Sequence, residues 1–267
     1  MDRVGLIAGN GNLPISFAKA AKDNDKEIVA INITDQAPAD RLGEIVDENY
    51  EISVGQLDKI INRLQKSGIK EIVMVGKVNK DLLFTLEFDT RMMKLLNNLE
   101  EKNDDAILLA LVNELKEAGI EVKEQTTYLE TLLPKSGVLN SIKPTKEQLK
   151  DMKFGFKMAK GIGNLDIGQT VVVKNSAVIA VEAIEGTDQA ILRGGQLTSE
   201  GAIVAKVSKP DQDFRFDIPT IGIETIKNLI EIKAQGIVIE AGKTFVVNQA
   251  KVCQMANKAN ISIVAMR

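Results

Sequence analysis

Short β-branched runs alternate with amphipathic stretches through the first half of the chain, and this alternation limits the fold more than any other feature. Val4–Ala8, Ile28–Ile33, Glu51–Val54 and Ile72–Val75 have the length and composition of strands. Pro14–Asp23 and Gln56–Ser67 read as helices between them. In the second of these, Leu57, Ile60, Ile61 and Leu64 recur at i, i+3, i+4 and i+7 and make one apolar face. Met92–Leu99 and Asp104–Ala118 predict two further helices, and Ile120–Val122 another strand. Strand–helix alternation implies right-handed βαβ units, so a Rossmann-like parallel sheet with helices is expected.

The pattern breaks near residues 131–146, where Pro134 and Pro144 hold two of the six prolines. A chain of 267 residues exceeds the roughly 100–200 of one ordinary domain. The expected division is an N-terminal domain over 1–133, a linker over 134–144 and a C-terminal α/β domain over 145–267. Thr145-Lys146-Glu147-Gln148 has the spacing of a capping box and opens a helix with Leu149, Met152 and Phe156 on one side. Beyond it, Thr170–Val173 and Ala177–Ala183 predict strands joined through Lys174-Asn175-Ser176 as a hairpin. Ile203–Val207, Gly236–Ile239 and Ile261–Ala265 read as strands, and Thr225–Ala234 and Asn248–Ala259 as helices. This half is mixed α/β, with a topology that periodicity does not specify.

The absent residue types narrow the chemistry. With no His, the chain has no Ser-His-Asp triad, no Cys-His dyad and no imidazole ligand. Cys253 is its one cysteine, which excludes an internal disulfide or thiolate cluster. Asp, Glu, Lys, Arg and hydroxyls remain, and carboxylate oxygens suit Mg²⁺ or Mn²⁺. A net charge of −3 argues against a bulk nucleic-acid binder. Met1–Gly9 lacks a basic segment followed by a sustained apolar one, and no apolar run approaches the ~20 residues of a membrane span. A cytoplasmic protein is expected.

Gly9-Asn10-Gly11-Asn12-Leu13-Pro14 joins a predicted strand to a predicted helix, where glycines let backbone N–H groups approach an anion. The dinucleotide fingerprint wants a third glycine where Pro14 stands, and Asp35 is only roughly placed as its acidic partner. NAD binding, a nucleotide or phosphate contact, and a plain tight turn all stay open here. Gly242-Lys243-Thr244 resembles the end of a phosphate loop with the wrong spacing, and is read as a β-turn. The densest region begins at Asp166-Ile167-Gly168-Gln169-Thr170 and continues through Val181–Asp188, Arg193-Gly194-Gly195 and Lys206–Gly222. Its charges interrupt apolar runs at Gly and Pro turns. Cleaving a phosphoanhydride asks for such types: a cation on the phosphate oxygens, and a carboxylate that holds a metal or orients water. Asp213 and Asp217, four apart, are spaced to bracket one metal ion if the segment turns.

Four stretches together carry a family resemblance. Gly5–Pro14, Leu165–Val171, Ala180–Asp188 and Lys209–Gly222 resemble the signatures of the LpxI family of UDP-2,3-diacylglucosamine pyrophosphatases, in order and from end to end. Asn10 departs from a glycine common in the family's first loop. The resemblance implies a two-domain Mg²⁺-dependent hydrolase of lipid A biosynthesis (Mn²⁺ an alternative). It would split UDP-2,3-diacylglucosamine into UMP and 2,3-diacylglucosamine 1-phosphate, lipid X. The family's essential aspartate corresponds to Asp217. Joined to the residue reading, this makes Asp217 metal ligand or water-orienting base, with Asp213 and Asp188 as further acidic partners. Lys206, Lys209, Arg193 and Arg215 are expected on the diphosphate, with Thr187 and Gln169 as hydrogen-bond donors. Gly9, Asn10, Gly11, Asn12 and Leu13, with Gly76 and Lys77, are expected to contact nucleotide or diphosphate. The family further implies a homo-oligomer and, from its lipid substrate, transient inner-membrane contact. The rival functions are a non-catalytic nucleotide-sugar or lipid-binding protein and an NAD-dependent oxidoreductase.

Overall fold

A computed structural model describes residues 2–78, 86–100, 104–210 and 212–267. The chain divides into two compact units, one made of 1–129 with Phe214–Phe216 and the other of 130–213 with 217–267.

The first unit is built on five parallel strands, β1 (Arg3–Ala8), β2 (Glu27–Asn32), β3 (Glu48–Glu51), β4 (Glu71–Val75) and β5 (Glu121–Lys123), in the order β3-β2-β1-β4-β5. Its helices are α1 (Leu13–Lys22), α2 (Ala39–Gly43), α3 (Leu57–Lys66), α4 (Thr90–Asn97) and α5 (Asp104–Glu117). Strand side chains alternate between faces. Ile7, Val29 and Ile31 therefore point to the core that holds Leu57, Ile60, Ile61 and Leu64 of α3 and Met92 and Leu95 of α4. The stripe read from the sequence is the buried face of α3. In this order the connections run outward in opposite directions from β1 and β4, leaving a crevice at their carboxyl ends.

Glu48–Glu51 pairs with β2, three residues before the expected strand. The apolar residues beyond it still bond the sheet, Ile52 N–H to the Asn32 carbonyl and Val54 N–H to that of Ile33, each at 3.0 Å. Gln125 N–H donates to the Phe214 carbonyl at 2.9 Å, and Phe216 packs against the core of this unit.

The second unit has a six-stranded sheet of β6 (Gly137–Val138), β7 (Thr170–Lys174), β8 (Ala177–Val181), β9 (Ile203–Lys206), β11 (Gly236–Glu240) and β13 (Ser262–Met266). Their order is β6-β13-β11-β9-β7-β8, with β9, β11 and β13 parallel and the rest antiparallel. Two short strands, β10 (Thr220–Ile221) and β12 (Phe245–Val246), pair separately. Helix α6 (Lys146–Asn164) covers one face through Met152 and Ala159 against Val171, Val173, Ile203 and Ala205. Helices α7 (Gly186–Thr198), α8 (Ile223–Glu231) and α9 (Gln249–Lys258) cover the other, against Val172, Val204, Ile237 and Ile263. The α/β class expected for each half is the class observed.

Local signals act as expected at two places. Thr145 and Gln148 cap α6 reciprocally, at 2.8 and 3.2 Å. Asn175 and Ser176, both at positive φ (52° and 59°), turn β7 into β8, the backbone of a hairpin turn that matches strand twist. By contrast, part of the expected linker is sheet: β6 pairs with β13, and Asn140 donates to the Ile261 carbonyl at 2.8 Å. No described helix is long and apolar enough to cross a membrane.

Candidate active site

In the first unit the candidate residues gather at the carboxyl ends of β1 and β4. Gly9 N–H donates to the Val75 carbonyl at 2.9 Å, and Asn10 and Lys77 exchange backbone hydrogen bonds of 2.8 and 3.1 Å. The loops after the two strands are thus tied together. Glycine is required by this closeness: a Cβ on Gly9 would lie 2.6 Å from the Lys77 carbonyl oxygen, and one on Gly76 would lie 2.7 Å from the Gly9 carbonyl carbon. Gly76 also has φ +106°, a region that L side chains rarely adopt. The Asn10 amide donates to Gln36 at 2.9 Å and its oxygen accepts from the Thr34 hydroxyl. Asn12, just before α1, accepts from Arg41 at 2.9 Å. Gly11 is exposed at φ +99°, with open space where a side chain would be. Leu13 and Pro14 begin α1, as the fixed φ of proline favours.

In the second unit the polar residues converge at the carboxyl ends of the parallel strands. Lys206 ends β9 and is 7% exposed. Its ammonium donates to the Thr187 hydroxyl and the Thr220 carbonyl, each at 3.0 Å. The Thr187 hydroxyl donates in turn to the carboxylate of Glu182 at 2.9 Å. Glu182 also accepts the Gln169 N–H at 3.3 Å and is itself buried. One hydroxyl therefore bridges a buried carboxylate and a buried ammonium. The Gln169 side-chain oxygen is buried beside them and accepts no hydrogen bond from the described residues. A buried acceptor without a protein donor is costly unless water or a ligand meets it.

The following loop is tied to itself. Lys209 pairs with Asp166 at 2.5 Å, and its N–H donates to the Gln212 side chain at 2.9 Å. Gln212 then donates through its amide nitrogen to Asp217. Asp217 N–H donates to the Asp213 carbonyl at 3.0 Å, so the segment turns locally as its spacing implied. Arg215, on the three-residue stretch that belongs to the first unit, has its guanidinium carbon 6.0 Å from the Phe216 ring centre. Asp211 lies outside the described residues.

Other expected site residues stand elsewhere. Asp188 is exposed on α7 and accepts from Asn228 of α8 at 2.7 Å. Arg193 is six residues along α7 from Thr187, and at about 100° per residue that turns it to another side of the helix. It donates to the Val181 carbonyl at 2.8 Å and pairs with Glu185. The hydrogen bond from Arg193 holds the Glu185 carboxyl below the ordinary glutamate range.

Two buried acids at the carboxyl ends of strands were not singled out from the sequence. Glu182 follows β8, and Glu240 closes β11. Glu240 accepts from Lys160 of α6 at 2.9 Å and from both the N–H (3.0 Å) and the hydroxyl (2.7 Å) of Ser208. Burial alone would raise its pKa, yet the Lys160 and Ser208 hydrogen bonds outweigh this and hold it below the ordinary value. The available signal was an acid directly after a wholly apolar strand run, which marks a carboxyl edge.

Comparison with known proteins bears on all of this. The N-terminal domain model of the LpxI family matches residues 3–132, and its C-terminal domain model matches 135–264. The UDP-2,3-diacylglucosamine pyrophosphatase LpxI of Caulobacter vibrioides is 30% identical over 279 residues, covering all of this chain and 98% of that protein. Among solved structures, a biotin carboxylase subunit of pyruvate carboxylase aligns with 68% of this chain and 36% of its own, at 16% identity and TM-score 0.29. An N5-carboxyaminoimidazole ribonucleotide synthetase of Thermotoga maritima aligns over 69% and 42%, at 15% identity and TM-score 0.24. The chain spans less than half the length of these two.

These findings correct one expectation, that of Mg²⁺-dependent hydrolysis. What the comparison supports is the activity in the relative's name, UDP-2,3-diacylglucosamine pyrophosphatase. Among the described residues nothing adds a third ligand to Asp213 and Asp217. Asp217 is engaged by Gln212, and the described residues contain no group of three or more His, Cys, Asp or Glu able to hold a metal ion. The metal reading is dropped and the family assignment stands. With both of its domain models matched and a relative aligned from end to end, the chain belongs to the LpxI family.

Proposed function

We propose that this chain is a pyrophosphatase that cleaves the diphosphate bridge of UDP-2,3-diacylglucosamine. The observation that carries the reading is the buried Lys206–Thr187–Glu182 cluster with the unsatisfied Gln169 oxygen, in a chain whose full-length relative is named for that activity. A buried ammonium is worth most against the charge that grows on a phosphoryl group in flight. Water adds to one phosphorus as the bond from that phosphorus to the bridging oxygen breaks. The leaving phosphate keeps the bridging oxygen, and the water proton passes to a carboxylate. Asp217, with Asp213 in the same turn, is the candidate for that proton. The products by atom balance are UMP and 2,3-diacylglucosamine 1-phosphate. Within the first unit, the tied Gly9–Leu13 and Gly76–Lys77 loops are candidate contacts for nucleotide or diphosphate, at the crevice where open parallel sheets bind ligands. The same reading includes a cytoplasmic homo-oligomer that meets its lipid substrate at the inner membrane.

Mass spectrometry of purified protein incubated with UDP-2,3-diacylglucosamine in mixed micelles tests this. The parent is expected to release UMP and the lipid 1-phosphate, and Asp217→Ala to release neither while keeping its circular dichroism. A folded parent that binds the substrate without turnover would sink the reading in favour of a nucleotide-sugar-binding protein.

A further inference from the structure

We propose that Glu240 is a positioning residue for the loop that carries Asp213 and Asp217, acting through Ser208. This rests on the pyrophosphatase reading. Ser208 is the second residue after β9, fully buried, and it starts the stretch that leads through Lys209 to Asp217. The Glu240 carboxylate takes both of its donors, the N–H at 3.0 Å and the hydroxyl at 2.7 Å, through one oxygen. Lys160 of α6 holds the remaining group of the same residue, donating to the Ser208 carbonyl at 2.8 Å while it pairs with Glu240. Donors and acceptor of a single residue are thus fixed by a strand end and a helix.

Such a triple hold exceeds what closing a core asks of a serine. A strand exit needs one satisfied N–H, whereas this arrangement fixes the direction in which the chain leaves the sheet. The next side chain is Lys209, tied to Asp166, and its N–H is bonded by Gln212, which in turn bonds Asp217. An angular error at Ser208 is carried along those bonds to the carboxylate assigned the water proton. Misplacement by about 1 Å at a reacting group costs on the order of 100-fold in rate.

The test compares the parent with Glu240→Gln, Ser208→Ala and Lys243→Met. Lys243 touches Glu240 at 3.3 Å from an exposed position, through the oxygen that does not take the Ser208 donors, so it controls for loss of a neighbouring charge. Well below the unfolding temperature, Glu240→Gln and Ser208→Ala are expected to lose about 10- to 100-fold in kcat with KM within about twofold, and Lys243→Met to match the parent. Hydrogen exchange read by mass spectrometry should quicken in peptides spanning 207–218 in the first two variants, with β11 and β13 peptides unchanged. Parental kcat and exchange in both variants would overturn the proposal. So would faster exchange spread evenly over the second unit, which marks a residue that only stabilises. If Glu240→Gln does not fold, Ser208→Ala decides the matter alone. If the parent proves inactive, the activity reading fails, and the exchange pattern still decides whether Glu240 holds the loop.

Discussion

The Asp151 carboxylate receives the backbone N–H of Ser176 at 2.7 Å, and its other oxygen receives that of Asn175 at the same distance. A residue near the start of α6 therefore holds the turn between β7 and β8. Both turn residues sit at positive φ, so those two amides point away from any ladder partner. Asp151→Ala leaves them without this acceptor. Hydrogen bonds to a charged group contribute roughly 1.5–3 kcal/mol each, and the loss expected from urea denaturation is about 3 kcal/mol in all. Asp151→Asn, which keeps an acceptor without the charge, should fall between the variant and the parent.

Acid should weaken the hold that Glu240 has on Ser208. Its folded pKa lies below the ordinary 4.5 although burial opposes this, because Lys160 and Ser208 bond the ionised form. A depressed carboxyl adds stability that is present above the unfolded pKa and is lost as pH falls through the folded one. Urea midpoints measured from neutral pH downward should decline below about pH 4.5, and more steeply in the parent than in Glu240→Gln. Identical slopes would show that the ionised carboxylate adds nothing to folding.

Thr187 offers a sharper contrast between hydroxyl and methyl. Thr187→Val keeps the volume but removes the bridge between Glu182 and Lys206, at an expected cost of about 2–4 kcal/mol in folding. Thr187→Ser keeps the bridge and should lose under about 1 kcal/mol. In turnover assays, serine should restore activity that valine abolishes. Equal stability of the two variants would remove the hydroxyl from the account of this cluster.

Gly195 lies inside α7, where a Cβ would stand 2.2 Å from Cγ2 of Ile232. Alanine has the higher helix propensity, by up to about 1 kcal/mol. Here the collision should win, with Gly195→Ala destabilising by about 1–3 kcal/mol in calorimetry. The double change Gly195→Ala with Ile232→Ala, which removes the colliding Cγ2, should cost less than the two single changes added together.

The same glycine explains where sequence reading stopped. Arg193-Gly194-Gly195 looks like a turn, and α7 was not expected there. Its glycines admit Val172 and Ile232 against the helix backbone, neighbours that only the folded chain supplies. Elements with a local cause were legible: the Thr145–Gln148 box, the apolar stripe of α3, the turn at Asn175-Ser176. Strand β3 is shifted because Glu48–Glu51 carries mostly polar side chains and is selected by its pairing with β2, not by its own apolarity. At the candidate site, residue type and the family resemblance together single out Thr187, Gln169 and Lys206; Lys206 donates to Thr187, and the Thr187 hydroxyl and the Gln169 N–H both donate to Glu182. Glu182, which joins them, was passed over, since an acid that closes an apolar strand looks like any solvated loop residue until its burial is known.

Gly9 and Gly76 stand in one close contact: a Cβ on Gly9 would run into the backbone of Lys77 and Gly76, and one on Gly76 into that of Gly9 and Asn10. In genetic terms they behave as one locus. A strain damaged at Gly9 gains no relief from change at Gly76, which is already as small as a residue can be. Once the loops have been forced apart, a second substitution finds the space already opened, so the two defects should sum to less than their separate effects, as neighbouring sites commonly do. Such epistasis would originate in the contact between two stretches of backbone and not in any side chain.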